Sequence, residues 1–283
     1  MMKTSTKLLL SALVIFVIAL GIYNTNLKAE YLSGNYKKPL RNYSKVGIKD
    51  FTEIEVNGAN MMDVDIIPTE EPLISVKEGA MTFKQSNESA VYKNKNNQDS
   101  VEFKRVGKRL IVNVNLKENP PMDSGYEENE NGRTVKIFPQ YRYRNNKIII
   151  VCPKLAMLQT SDVFLLKGKA VGDIDKGYDP YHEKHQINLK MFNLDSLAVI
   201  QHCAGIVNIE ANFVKVFKAD VGKYASLTIQ PGNLIQKADL QVNVGGGLNM
   251  YNLLIPSLTY HFADSARVSL TGASVKSFIK QQP

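Results

Sequence analysis

Two histidines close together are the first residues that could do chemistry. His182 and His185 flank Glu183, a combination typical of metal sites. A helical zinc site of the metalloprotease type needs its histidines four residues apart, so that both lie on one helix face. Here the spacing is three, and Gly177 and Pro180 nearby indicate a loop. We therefore expect no metal at this position.

Three aspartates in the same region form a second candidate site. Asp173, Asp175 and Asp179 have a spacing close to that of a calcium loop. The terminal glutamate of such a loop is missing, and Lys176 stands among the aspartates. We interpret the segment as a solvated loop and expect neither a metal nor another cofactor in this protein.

The sequence has no pattern of a nucleophilic catalyst. It lacks the Gly-x-Ser-x-Gly motif that marks the nucleophile of many hydrolases. Cys152 and Cys203 are the only cysteines, too few for an iron–sulfur or structural zinc site. They occupy different positions in the strand pattern described below, so we expect free thiols.

Tyrosines in two hydrophilic segments are the candidate ligand contacts. Tyrosine presents an apolar ring and a hydroxyl, and it could replace tryptophan, which the chain lacks, as a stacking surface for a sugar. The alternative is that these rings anchor their loops on the domain. The four residues are Tyr141, Tyr143, Tyr178 and Tyr181.

The first residues form a targeting segment, which we assign to 1–28. Lys3 and Lys7 precede Leu8–Tyr23, which carries no charge. Sites for signal cleavage are poor, so we favour an uncleaved anchor over a cleaved signal peptide. Either reading exports the chain across the inner membrane to the cell envelope, anchored on the periplasmic side or secreted.

Composition limits the class of the remaining chain. Hydrophobic residues are 44% and charged residues 22% of 283, which excludes a wholly disordered protein. The 35 basic against 27 acidic residues give a net charge of +8, partly from a basic stalk at 29–50. We interpret the stalk as a solvated linker and expect no nucleic-acid partner, because the compartment holds little nucleic acid.

Apolar residues alternate with polar ones over many short segments, which predicts β-strands. In the C-terminal half, apolar pairs recur every 20 or 21 residues. Ile54/Val56 and Ile74/Val76 are also 20 apart, so the N-terminal half is expected to hold similar units, interrupted by hydrophilic insertions at 85–100, 117–146 and 167–186. The C-terminal pairs are Val207/Ile209, Leu227/Ile229, Leu248/Met250 and Val268/Leu270.

This period predicts an all-β, right-handed parallel β-helix, a solenoid with coils of about 20 residues. The apolar pairs should face one core, and Asn208, Thr228, Asn249 and Ser269 should face outward. A β-sandwich is the alternative. We place the domain at 51–276, followed by a polar tail at 277–283.

Four segments of the chain resemble the putative autotransporter adhesin head GIN domain family, a domain of unknown function found in envelope or secreted proteins of Gram-negative bacteria. The resemblance implies a right-handed parallel β-helix. The family's Ser-Gly-Ala-Ser corner is kept in form only at Thr271–Ser274. The segments are 51–59, 64–66, 110–114 and 149–161.

These features favour a non-enzymatic envelope protein, a membrane-anchored adhesion, scaffold or binding module with a glycan or protein ligand. The alternative is a polysaccharide lyase or hydrolase, which needs carboxylates aligned on one face. Asp220, Asp239 and Asp264 fall at different positions of the strand pattern and form no such row. A purely structural spacer is a third possibility.

Overall fold

The computed structural model describes most of the chain and divides it into two compact units, Met1–Ser44 and Lys45–Pro283. The described residues are 4–33, 40–69, 75–77, 80–82, 88–97, 100–116, 126–128, 134–136, 146–171, 185–203 and 205–279.

The first unit contains one long helix, α1 (Thr4–Ser33). Leucine, isoleucine and alanine favour the helix, and no proline interrupts it. Its segment Ser11–Ala29 has 19 residues with a mean hydropathy of 1.6 and no buried side chain. At about 1.5 Å per residue it is roughly 28 Å long, close to the hydrocarbon thickness of a bilayer. By length and composition it suits either a membrane span or a signal sequence.

The second unit is built from strands and ends in a short helix. In chain order the elements are β1 (Tyr43–Val46), β2 (Glu53–Asn57), β3 (Asp63–Ile67), β4 (Ser75–Lys77), β5 (Ala80–Thr82), β6 (Ala90–Asn94), β7 (Ser100–Val106), β8 (Arg109–Leu116), β9 (Tyr126–Glu128), β10 (Thr134–Lys136), β11 (Lys147–Val151), β12 (Met157–Ser161), β13 (Phe164–Leu166), β14 (Lys169–Val171), β15 (Gln186–Lys190), β16 (Asn193–Cys203), β17 (Ile206–Glu210), β18 (Phe213–Lys223), β19 (Ser226–Ile229), β20 (Leu234–Val242), β21 (Gly247–Tyr251), β22 (Ser257–Phe262), β23 (Arg267–Thr271) and α2 (Ala273–Ile279).

Two large sheets contain most of these strands. Sheet A has the order β1-β6-β11-β3-β15-β17-β19-β21-β23, and sheet B has the order β14-β13-β8-β2-β12-β16-β18-β20-β22, with β7 paired to β8. From β15 onward, successive strands alternate between the two sheets. β4 with β5, and β9 with β10, form separate antiparallel pairs.

The hydrophobic core is formed by the alternate residues of both sheets that face inward. Phe51, Phe192 and Phe217 are its largest side chains and are at most 1% exposed. Burial of such side chains is the main favourable term in folding, at roughly 25 cal/mol per Å² of apolar surface. The predicted core pairs of β17, β19 and β21 all lie in this core, whereas Val268 and Leu270 on β23 are half-buried.

The all-β class is confirmed, but the right-handed parallel β-helix is wrong. The two sheets are mixed and do not form a closed solenoid, because β6–β11, β7–β8 and β13–β14 are antiparallel pairs. In a solenoid the order along the stack follows the order along the chain. Here β2 lies between β8 and β12, and β3 lies between β11 and β15.

Parallel pairing at the predicted spacing occurs only locally. Val207 lies opposite Leu227, Leu227 opposite Leu248, and Leu248 opposite Val268. This register extends back to β15 and β3 but does not extend along the chain into the N-terminal half.

Two N-terminal interpretations also need correction. Val76 belongs to β4, which pairs antiparallel with β5 in a separate sheet, so the segment at 74–76 is no counterpart of Ile54/Val56. The hydrophilic segment at 85–100 contains β6, whose Val91 is fully buried and which pairs with β11.

Left-handed backbone conformations form the corner that follows each sheet A strand from β15 onward. Met191 and Ala211 have φ values of 61° and 52°, and Gly232 has 87°. Two buried asparagines close this corner. Asn212 Oδ1 accepts a hydrogen bond from the backbone N–H of Phe192 (2.8 Å), and Asn233 Oδ1 accepts one from the backbone N–H of Asn212 (2.9 Å).

Candidate functional site

A stripe of polar side chains crosses the outer face of sheet A. Its members hold equivalent positions on six paired strands and face away from the core, because the residues beside them in each strand are buried or half-buried. Adjacent strands lie about 4.8 Å apart, so five intervals give a length of roughly 24 Å. The polar stripe consists of Asp65, Asn188, Asn208, Thr228, Asn249 and Ser269.

Hydrogen bonds connect neighbouring members of the polar stripe. Asn188 Nδ2 donates to Asp65 Oδ1 (2.9 Å), and Asn208 Nδ2 donates to Asn188 Oδ1 (3.0 Å). Asn249 Nδ2 lies 3.4 Å from Thr228 Oγ1, which is long for a hydrogen bond. The stripe is therefore firmly connected at the β3 end and loosely connected at the β21 end.

The middle of the stripe is more covered than an outward position usually is. Asn208 is only 7% exposed and Thr228 only 9%. They face outward, as the alternation predicts, but their side chains lie nearly flush with the sheet surface. Half-buried Glu210 and Tyr251 stand on one side of them. The stripe is thus a floor of short polar side chains between longer ones.

Charged residues gather at the β3 end of the stripe. Asp65 lies 3.6 Å from Lys147 Nζ and 3.4 Å from Lys190 Nζ. Lys190 Nζ also lies 3.7 Å from Glu210. The two lysines and two carboxylates balance, so this end has no strong net charge for attracting an ion.

Asp63 adds a further contact at this end. Its Oδ1 accepts the backbone N–H of Gln186 (3.0 Å) and lies 3.3 Å from His185 Nδ1. Partial burial by itself would raise the pKa of Asp63. The hydrogen bonds from His185 and Gln186, together with the charges of His185 and Lys147, outweigh burial and lower that pKa below its usual range.

The outer face of sheet B differs in character. Arg109 pairs with both Glu53 and Glu55 at 3.2 Å. Further along, exposed Lys218 lies opposite exposed Asp239 in the strand pairing. Mixed long charged side chains are typical of a solvated sheet surface, and they distinguish this face from the short uncharged centre of the polar stripe.

The residues singled out from the sequence mostly lie outside the described part. Among the described residues, no group of three or more His, Cys, Asp or Glu side chains could hold a metal ion. His185 is described, and it contacts Asp63. Outside the described residues lie Tyr141, Tyr143, Tyr178 and Tyr181, together with His182, Asp173, Asp175 and Asp179.

Cys152 is a free, fully buried thiol. Burial raises its pKa to about 12, although contacts with Lys154 and Ser89 act in the opposite direction. A thiol in this state is a core residue and no nucleophile. The side chain of Cys203 lies outside the described residues.

Sequence reasoning identified four members of the polar stripe as outward-facing but missed Asp65 and Asn188. Asn188 could have been found, because it precedes Asn208 by the same 20 residues that separate Asn208 from Thr228. Asp65 could not, because it lies 123 residues before Asn188 in the chain and only the sheet pairing brings them together.

Comparisons with known proteins assign no family. No protein-family model matches the chain, and no curated protein matches it. Among solved structures, the chain is similar to a putative adhesin from Bacteroides fragilis, with 14% identity and a TM-score of 0.31, covering 81% of this chain and 96% of that chain. A putative lipid binding protein from Parabacteroides distasonis has 13% identity and a TM-score of 0.25, with coverages of 81% and 94%.

A putative adhesin from Parabacteroides merdae has 12% identity and a TM-score of 0.25, with coverages of 81% and 95%. At these identities and TM-scores the likeness assigns neither an activity nor a ligand to this chain. Membership of the GIN domain family therefore stays a prediction.

Proposed function

We propose that this chain is a non-enzymatic binding module of the cell envelope, exported across the inner membrane and anchored there by α1. The observation that carries the proposal is the apolar segment Ser11–Ala29, whose side chains no other part of the chain buries. Exposure of so much apolar surface to water is unfavourable, and a bilayer removes it.

The β-domain supports a role in binding. Its core is dense and continuous, and its two outer faces are polar, so it suits a stable body that presents a surface to a ligand. The polar stripe is the best-defined surface for this purpose, because its side chains are ordered by their own hydrogen bonds. An ordered surface loses little conformational entropy when a ligand binds.

Localisation tests the proposal directly. The full-length chain should stay in the membrane fraction after a carbonate wash, and a protease added to the periplasmic side should digest the β-domain. Replacement of Val14 and Ile18 by arginine should release the chain or prevent its export, since charge in the apolar segment opposes insertion. A matched control, Asn26→Arg, lies outside the central apolar run and should behave as the unaltered chain.

Two results would contradict the anchor. A soluble mature chain whose N-terminus lies within 19–30 would show a cleaved signal in place of an anchor. A full-length chain protected from protease in intact cells whose outer membrane has been opened would place the β-domain in the cytoplasm and refute the proposed function.

A further inference from the structure

We propose that the polar stripe binds a neutral polysaccharide chain in an extended conformation; this rests on the proposed function and names its ligand class. The stripe is a straight row of hydrogen-bonding side chains about 24 Å long. A sugar in an extended polysaccharide advances its chain by about one strand spacing, roughly 4.8 Å. Successive sugar hydroxyls would therefore meet successive members of the stripe.

An unused oxygen in the middle of the stripe supports a ligand. Asn208 is 7% exposed, and both of its side-chain hydrogen bonds, to Gln186 and Asn188, are donated by Nδ2. Its Oδ1 accepts no hydrogen bond from the described residues. A nearly covered amide oxygen on an outer face without a donor suits a hydroxyl group that donates to it from above.

Asn249 and Tyr251 supply the second observation. Asn249 Nδ2 lies 3.5 Å from Ser226 Oγ and 3.4 Å from Thr228 Oγ1, so its amide is weakly held and is available to a ligand. Tyr251 is two residues further along β21 and faces the same side of the sheet. A half-buried ring beside a free amide combines a stacking surface for a sugar ring with a donor for its hydroxyls.

Charge argues for a neutral ligand. The four central members, from Asn188 to Asn249, carry no charge, and the carboxylates at the β3 end are balanced by Lys147 and Lys190. A protein partner is disfavoured, because protein interfaces are rich in tyrosine, tryptophan, arginine and methionine, whereas Tyr251 is the one such residue beside the centre of the stripe in the described strands β17, β19 and β21.

Calorimetry of the full-length chain, in a detergent without a sugar head group, tests the proposal. The probes are hexasaccharides with β-1,4 linkages of glucose, mannose or N-acetylglucosamine, which are extended. The α-1,4-linked glucose hexasaccharide, which has the same sugar in a curved chain, is the control for shape. At least one extended probe should bind at least tenfold more tightly than the curved one.

Variants locate the site. Asn249→Ala and Tyr251→Ala should each weaken binding of that probe by tenfold or more, whereas Tyr251→Phe, which keeps the ring, should weaken it by less than threefold. Gln241→Ala removes an exposed amide from the outer face of sheet B and should leave binding unchanged. Thermal melts of each variant must match the unaltered chain, so that lost binding is not lost folding.

Three outcomes would overturn the proposal: no binding of any extended probe at millimolar concentration, equal binding of the curved probe, or equal effects of Gln241→Ala and Asn249→Ala. None of them bears on the carbonate wash and the protease test. A chain that passes those two tests but binds no probe would keep its proposed function and lose only the polysaccharide.

Discussion

Replacement of Asn212 by alanine should strongly destabilise the β-domain. Asn212 is 2% exposed and its side chain makes three hydrogen bonds. Oδ1 accepts the N–H of Phe192 at 2.8 Å, and Nδ2 donates to the carbonyl oxygen of Leu189 at 3.0 Å and to Asn233 Oδ1 at 3.2 Å. Alanine removes all three and leaves the backbone groups of Phe192 and Leu189 without this partner.

The magnitude follows from the groups left behind. A buried backbone group that loses its partner costs about 1–3 kcal/mol, so two such groups give roughly 2–6 kcal/mol. Water that enters the vacated space recovers part of this, and we expect a loss of about 3 kcal/mol. For a domain of this size that corresponds to a fall in melting temperature on the order of 10 °C.

Urea unfolding of the full-length chain, followed by circular dichroism of the strands, measures the effect. The matched control is Asn193→Ala, since Asn193 is exposed and its side chain hydrogen-bonds to no described residue. That change should stay within about 0.5 kcal/mol. Asn212→Asp keeps the volume and the acceptor but loses the donors, so it should destabilise at least as much as alanine at pH 7.

A small effect would refute the reasoning. If Asn212→Ala falls within about 0.5 kcal/mol of Asn193→Ala, the buried asparagines do not hold the corners after the sheet A strands. If Asn212→Asp is as stable as the unaltered chain, the volume of the side chain matters and its hydrogen bonds do not.

Three further predictions concern other positions. Ala211→Gly should stabilise by about 0.5 kcal/mol and Gly232→Ala should destabilise by about 1 kcal/mol, because both have positive φ; equal signs in urea unfolding would contradict this. Cys152 should resist iodoacetamide at pH 8 until urea is added, since burial raises its pKa to about 12; rapid labelling of the folded chain, measured by peptide mass spectrometry, would show that it is accessible. The pKa of Asp63 is lowered by folding, so its carboxylate stabilises the domain above about pH 4 and this contribution is lost at lower pH. Asp63→Asn should therefore lower stability at pH 7 but not at about pH 3, and a difference that persists at pH 3 would contradict the linkage.

The sequence predicts the strands better than their arrangement. Alternation and a period of 20 or 21 residues locate β17, β19, β21 and β23, because in these strands each apolar pair faces the core and recurs with little interruption. The sheet order in the N-terminal half could not be predicted in this way. β2 pairs with β8, which starts 56 residues later, and with β12, which starts 104 residues later, and no local pattern encodes such a pairing.

Short strands with few apolar residues escape the same reasoning. β6 lies in a segment rich in Asn, Lys and Ser, and only Ala90, Val91 and Tyr92 are apolar there. Three residues are too few for a period to be recognised, yet all three are buried, because β6 pairs with β11. The antiparallel direction of that pairing is one reason why the solenoid prediction fails.

The corners and the polar stripe depend on one another. A strand has a side-chain period of two, so a shift of one residue in β17 would turn Asn208 into the core and Ile209 outward. The left-handed residue Ala211 and the buried Asn212 fix where β17 ends, and they thereby keep Asn208 opposite Asn188 and Thr228. The stripe is regular because the corners are. The residues that make the surface suitable for a repeating ligand therefore include buried asparagines that no ligand can contact.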